Sequence, residues 1–134
     1  MIRLREGLRF ALLLVASAAL LPGQARRFEG PGPVELHVHA TAAEGSAAAL
    51  EEMFLTVFYP AVSRQPGFRH SNLLRIPGKP GEYVLTIAFE SEDLRLRWVA
   101  TDLHQEVWPR MQSKFKDGKP GGVEALGIVT AAVK

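Results

Sequence analysis

The segment Glu82–Phe89, EYVLTIAF, is the clearest strand signal in this chain of 134 residues. It is rich in β-branched and aromatic residues, which suit the pleated, half-buried surface of a sheet. The loop Pro77–Gly81 (PGKPG) precedes it, and Phe68–Ile76 (FRHSNLLRI) before that loop is a second strand candidate. The two segments predict an antiparallel hairpin in the middle of the chain.

A further strand is predicted upstream of this hairpin. Val34–Thr41 (VELHVHAT) alternates with period two, which indicates a strand with unlike faces. Its apolar face carries Leu36, Val38 and Ala40, and its other face carries Glu35, His37, His39 and Thr41.

A helix is predicted between this strand and the hairpin. Apolar residues at positions 50, 53, 54, 57 and 58 form one helical stripe. Ser46 is the candidate N-cap, and Pro60 is expected to bend or close the helix. The turn Gln65-Pro66-Gly67 then leads into the second strand.

A second helical region and a last strand are predicted after the hairpin. Ser91 followed by two acidic residues is typical of a helix start. Asp102 and Gln105 have the spacing of a capping box with Asp in the place of the hydroxyl residue. Pro109 is expected to kink the helix that begins there. Val123–Val133 (VEALGIVTAAV) predicts the final strand.

The order β-α-β-β-α-β predicts a ferredoxin-like α+β domain, with a four-stranded antiparallel sheet and both helices on one face. This domain spans residues 34–134, and the Gly- and Pro-rich residues 26–33 are interpreted as a flexible lead-in. Apolar residues on both faces of the third and fourth strands indicate that the helix-free face is covered too. A second copy of the chain would cover it, so we expect a homodimer.

The first 25 residues have the pattern of a secretory signal peptide. Arg3, Arg5 and Arg9 form a basic start, Phe10–Leu21 is an apolar run, and Ala25 is the predicted cleavage site. A membrane-spanning helix needs roughly 20 apolar residues, more than this run offers. We therefore expect export to the periplasm or the medium without stable membrane insertion, with an uncleaved anchor as the alternative.

Charge and composition exclude several classes of protein. The signal segment holds three basic residues and one acidic residue, so the chain's 16 basic and 14 acidic residues reduce to 13 of each after cleavage. No basic stripe remains, and nucleic-acid binding is not predicted. The absence of cysteine excludes disulfides, thiolate metal sites and cysteine nucleophiles.

Four short motifs, in this order and spacing, together resemble those of one known family. They are Ala43-Glu44-Gly45, Gln65-Pro66-Gly67-Phe68, Tyr83–Phe89 running into Glu90-Ser91-Glu92-Asp93, and Trp98 followed by Asp102–Trp108. The chain resembles the antibiotic biosynthesis monooxygenase (ABM) family of the dimeric α+β barrel superfamily over residues 34–134. The resemblance implies pairing as a dimeric α+β barrel and, for some members, cofactor-independent oxygenation of aromatic phenols.

The family also includes haem-degrading enzymes, whose second helix carries a histidine and whose first strand carries an asparagine. These enzymes also carry a tryptophan at the end of the third strand, where this chain has Phe89. Trp108 falls at the helical histidine position, and the first strand offers His37, Val38 or His39 but no asparagine. These departures argue against haem degradation by that route and leave haem binding open.

His37 and His39 are the candidate catalytic residues. Two residues apart on a strand, they point to the same face, and imidazole titrates close enough to neutral pH to act as a general base. The alternatives are ordinary hydrogen-bonded histidines on a solvated or dimer-facing surface, or a metal pair completed by His70 or His104. We predict no metal site and no cofactor.

Aromatic residues are the candidate binding site for a small aromatic or quinol-like substrate. The predicted substrate-binding residues are Trp108, Tyr83, Phe89, Trp98 and His104. A simple core role is the alternative for such residues. Arg95 and Arg97 are interpreted as a solvated helix face rather than as anchors for an anionic substrate.

The functional hypothesis is an exported, dimeric, cofactor-independent monooxygenase. A non-catalytic ligand-binding or interaction domain on the same scaffold and a haem-binding protein are its alternatives.

Overall fold

The computed structural model describes residues 27–129. The predicted signal peptide and the end of the predicted last strand lie outside these residues. The described part contains strands β1 (Val34–Thr41), β2 (Phe68–Arg75), β3 (Glu82–Phe89) and β4 (Gly122–Gly127). Its helices are α1 (Ala47–Met53), α2 (Tyr59–Val62), α3 (Glu92–Val99) and α4 (Asp102–Gln112), with a π-helical segment (Phe54–Phe58) between α1 and α2 and a 3-10 turn (Lys116–Gly118) before β4.

The four strands form one antiparallel sheet in the order β2-β3-β1-β4. This order and the helices packed on one face confirm the predicted ferredoxin-like α+β fold. Alternate residues of β1 and β3 point into the core beneath the helices. Among them, Val38 lies opposite Leu85 and Val34 lies opposite Phe89.

The first helical region continues further than predicted. The chain stays helical through Pro60, and this helical region ends at Val62. Proline is tolerated at this position because it lies in the first turn of α2, directly after the wider π-helical turn. The π-helical segment turns Phe54 and Phe58 into the core.

Two further boundaries differ from the prediction. Helix α4 begins at Asp102 and runs through Pro109, but its capping residue is Thr101, whose hydroxyl accepts the His104 N–H at 3.1 Å. Strand β4 ends at Gly127, and Ile128 and Val129, which were predicted to belong to it, form no strand. Gly127 lies opposite Val34, the first residue of β1, so no partner strand extends beyond it.

The helix-free face of the sheet is less apolar than predicted. Leu74 and Leu126 are 48% and 41% exposed on it; Leu126 lies opposite the polar Glu35, and Leu74 lies opposite Val84. Thr86 and Ala88 of β3 also face this side, yet both are already buried in the single chain, because β3 is an inner strand. Residues of β3 on this face are therefore partly shielded from solvent without a second subunit. Within residues 27–129, no helix has the length and apolarity to cross a membrane.

Candidate functional site

A cavity of about 830 Å³ lies between the sheet and helices α3 and α4. Its floor is the helix-facing side of β1, β3 and β4. The apolar floor residues are Leu36, Val38, Ile87, Val123 and Ala125. Leu36 lies opposite both Ile87 and Ala125, so three neighbouring strands form one continuous surface. The volume and the apolar floor are typical of a small-molecule site.

One wall of this cavity is formed by three aromatic rings in contact with one another. The rings of Trp98 and His104 meet edge to face with centroids 5.0 Å apart. His104 and Trp108 lie one helical turn apart on α4, and their rings are near parallel with centroids 6.1 Å apart. The wall therefore combines a near-parallel His104–Trp108 pair with a Trp98 ring perpendicular to His104, opposite an apolar floor, and such an aromatic lining suits an aromatic ligand.

A single hydroxyl holds this wall together. Thr101, between α3 and α4, donates its hydroxyl proton to the Trp98 carbonyl oxygen at 2.7 Å. The Thr101 hydroxyl oxygen in turn accepts the His104 N–H at 3.1 Å. The N-cap thereby fixes the angle between the two helices at the point where both rings enter the cavity.

His104 has an altered acidity in this position. Burial, together with the positive charge of Arg95, lowers the pKa of His104 from its ordinary 6.5 to about 4. The imidazole is therefore neutral at pH 7 and is able to accept a proton or a hydrogen bond from a ligand.

This low pKa predicts a loss of stability in acid. The unfolded chain, with an ordinary histidine, binds its proton below about pH 6.5, whereas the folded chain does so only near pH 4. Stability therefore falls as the pH drops through this window. Between pH 7 and pH 4.5 we expect the unfolding free energy to fall about 1–2 kcal/mol more in the wild type than in His104→Phe, allowing for solvent screening of a partly exposed ring. Urea titrations at the two pH values measure this, and equal losses in both proteins would contradict it.

A buried ion pair lies at one end of the cavity. Glu92 and Arg95 are each 4% exposed, and Arg95 Nε donates to Glu92 Oε2 at 2.7 Å. Arg95 also lines the cavity, so the interpretation of this residue as part of a solvated face is wrong. Arg97 is exposed, as expected. Residues 92, 95 and 98 follow one another at a spacing of three on α3, and all are buried. Because Trp98 is a large apolar residue, this spacing in the sequence already indicated that Arg95 lies on the buried side of the helix.

Three of the five predicted substrate-binding residues line the cavity, namely Trp98, His104 and Trp108. Tyr83 and Phe89 do not, because both lie buried in the core. The Tyr83 hydroxyl donates to Glu51 Oε2 at 2.9 Å, and burial together with that carboxylate raises the pKa of Tyr83. Phe89 packs edge to face against Phe68.

The predicted catalytic pair is separated from the cavity by the sheet. His37 and His39 point to the helix-free face, where each Nε2 lies 2.8 Å from a carboxylate oxygen, of Glu35 and Glu124 respectively. His70 Nε2 lies 3.1 Å from the second oxygen of Glu35. These contacts place the pair in a surface hydrogen-bond network.

No metal-binding arrangement of three or more His, Cys, Asp or Glu side chains occurs in residues 27–129. The floor residues Leu36 and Val38 are on the apolar face that the sequence assigned to β1, but only the packed helices reveal that this part of the face lines a cavity. The residues Arg27, Phe28 and Glu29 also line it, and sequence reasoning missed them.

Together, the fold and the site define a ferredoxin-like α+β domain with a ligand-sized, aromatic-walled cavity between its helices and its sheet. The sequence model of the antibiotic biosynthesis monooxygenase family matches residues 33–109, more than half of the chain. The chain belongs to this family, which confirms the resemblance.

Solved structures share the fold at low sequence identity. A putative antibiotic biosynthesis monooxygenase from Caulobacter crescentus is 22% identical, with a TM-score of 0.64 over 74% of this chain and 92% of that one. SnoaB, a cofactor-independent oxygenase from Streptomyces nogalater, is 23% identical, with a TM-score of 0.59 over 78% and 97%. A heme-degrading protein from Mycobacterium tuberculosis is 19% identical, with a TM-score of 0.56 over 75% and 99%. No curated protein matches the chain in sequence.

Proposed function

We propose that this protein is an exported, cofactor-independent monooxygenase that acts on a small aromatic or quinol-like molecule. The observation that carries the proposal is the cavity, in which the rings of Trp98, His104 and Trp108 face an apolar floor. Family membership and the fold shared with a cofactor-independent oxygenase add support.

The reaction needs a substrate that supplies all of the electrons. Removal of a proton from an activated C–H or phenol gives an electron-rich anion, which reduces dioxygen and combines with it to form a hydroperoxide. Loss of water from the hydroperoxide leaves a new carbonyl, so one oxygen atom enters the product and the other leaves as water. An anthrone, with an acidic CH₂ beside two rings, meets this requirement.

We assign proton acceptance to His104, because it is the histidine in the cavity lining of the described chain and its ring is neutral at pH 7. A base with so low a pKa needs a substrate whose own pKa is lowered in the cavity. The charge of Arg95, which lowers the pKa of His104, also favours the anion of a substrate bound beside it. Trp98 and Trp108 would hold the substrate rings by stacking.

Oxygen uptake with anthrone, in the presence of a chelator and without added flavin, tests this function. We expect turnover by the wild type and a loss of about 100-fold or more in His104→Phe, the usual scale for a general base. A His37→Ala/His39→Ala double variant separates the two assignments. If that variant is inactive while His104→Phe is fully active, the strand pair is the base and our assignment is wrong; absence of uptake by the wild type would overturn the function.

Haem binding is the second candidate. It is favoured by a neutral histidine on an aromatic wall, a group able to ligate iron, and by the fold shared with a heme-degrading protein. A hemin titration tests it. A shifted Soret band that is lost in His104→Phe would support haem binding, and a spectrum identical to free hemin would exclude it.

Export and assembly complete the proposal. We propose that residues 1–25 direct export and are removed after Ala25, for which the mass of the exported protein is the test; a mass that begins at Met1 would contradict it. We also propose a homodimer through the helix-free face, supported by the exposed Leu74 and Leu126. Light scattering that reports a monomer at micromolar concentration would contradict the dimer.

A further inference from the structure

The cavity has a wall that lies outside the family domain. Arg27, Phe28 and Glu29 line it, whereas the family match begins only at residue 33. No helix or strand forms between residues 27 and 33. A segment without regular structure that lines a site must be held by specific contacts, and the structure contains several.

The first contact is a backbone hydrogen bond to the buried ion pair. The Phe28 N–H donates to Glu92 Oε1 at 2.8 Å. Arg95 binds the same carboxylate, so the Glu92 acceptor is held in position independently of the N-terminal segment. Glu92 therefore joins the N-terminal segment, the start of α3 and the cavity end of Arg95.

Further contacts hold the segment on both sides of Phe28. The Arg27 guanidinium lies 2.8 Å from Asp93 Oδ1 at the surface. Near the other end, the Ile128 N–H donates to the Pro33 carbonyl at 2.9 Å, which ties the segment to the end of β4.

The Phe28 ring lies in a space that two glycines leave open. A Cβ on Gly30 would stand 3.1 Å from the ring, and one on Gly127 would stand 3.9 Å from it. Gly30 has a φ of +153°, in a region that favours glycine. The ring packs against the core from this position while it lines the cavity.

We propose that residues 27–29 form a specificity wall, in which Phe28 closes one end of the cavity and Glu92 positions it. This inference rests on the proposed function and deepens it. With the wall in place, the cavity favours compact planar ligands of two or three fused rings, which stack on Trp98 and Trp108. Family members that lack such a segment would leave this end open.

Calorimetric titration with 1-naphthol and with a four-ring naphthacenone tests the wall without requiring turnover. We expect Phe28→Ala to raise the Kd of 1-naphthol roughly tenfold through lost aromatic contact. The same change should lower the ratio of naphthacenone Kd to naphthol Kd by about tenfold, because the longer molecule gains room. Phe28→Leu, which keeps apolar packing, should show smaller changes in the same direction.

Phe68→Leu is the matched control, because Phe68 also packs partly buried against the core but does not line the cavity. Wild-type Kd values in Phe28→Ala, equal changes in Phe68→Leu, or no binding of either probe by the wild type would each overturn the wall. Failure of the proposed function is distinguishable: a protein that binds the probes with this dependence on Phe28 but consumes no oxygen retains the wall and loses the monooxygenase assignment.

Discussion

Replacing Phe58 by alanine is expected to lower the free energy of unfolding by about 3–5 kcal/mol, the usual cost of removing a buried aromatic ring. Phe58 is fully buried in the π-helical segment. Its ring centroid lies 6.5 Å from that of Trp98 and 6.0 Å from that of Trp108. The substitution leaves a void behind the aromatic wall, so we expect ligand affinity to fall together with stability.

Leu55→Ala is the control for this change. Leu55 belongs to the same π-helical segment but is 65% exposed, so its truncation should cost about 0.5 kcal/mol or less. Urea unfolding followed by circular dichroism measures both variants. Similar losses in the two would contradict core packing by Phe58 as the source of the effect.

Replacing Glu92 by alanine is expected to cost about 3–5 kcal/mol, because it breaks a buried ion pair by removing the carboxylate that Arg95 binds. The same change removes the acceptor of the Phe28 N–H and frees the specificity wall. Thermal and urea unfolding report the first effect, and the naphthacenone-to-naphthol Kd ratio reports the second.

The neighbouring carboxylate supplies the comparison. Asp93 makes a surface ion pair with Arg27, and such exposed pairs contribute little, so Asp93→Ala should leave the unfolding midpoint nearly unchanged. A Glu92→Leu/Arg95→Met double variant should recover much of the stability lost in Glu92→Ala, because it removes both buried charges. A double variant as unstable as Glu92→Ala would show that the loss of the Glu92 carboxylate beside the Arg95 charge is not the cause of the destabilisation.

The arrangement links the proposed chemistry to stability. Burial and, after it, the positive charge of Arg95 lower the pKa of His104 at the cavity, and the carboxylate partner of Arg95, Glu92, accepts the Phe28 N–H of the N-terminal segment. One buried pair thus contributes to the electrostatics and to the shape of the same site.

The strands were predictable because their signals are local. Alternation in Val34–Thr41 and β-rich composition in Glu82–Phe89 predicted both strands with their observed bounds. The last strand was predicted too long, since its end depends on where β1 begins, at a residue far away along the chain. The cap at Thr101 was missed because Asp102 offered an equally good local pattern.

The candidate site was predictable only in part. Trp98, His104 and Trp108 came from the family motifs, and they meet in the cavity. The catalytic prediction for His37 and His39 relied on the fact that both lie on one face of β1. The alternation that identified this face also showed that it is the face opposite the apolar residues of β1. No local pattern shows which face of a sheet borders a cavity.

The sequence by itself determined the order of elements, the α+β fold and the family, because periodicity and short motifs are properties of neighbouring residues. Only the tertiary structure decided that Arg95 is buried, that burial lowers the pKa of His104, and that Phe28 lines the cavity. Burial, local charge and cavity shape arise from segments far apart in the chain, such as Phe28 and Glu92, that meet only in the folded protein.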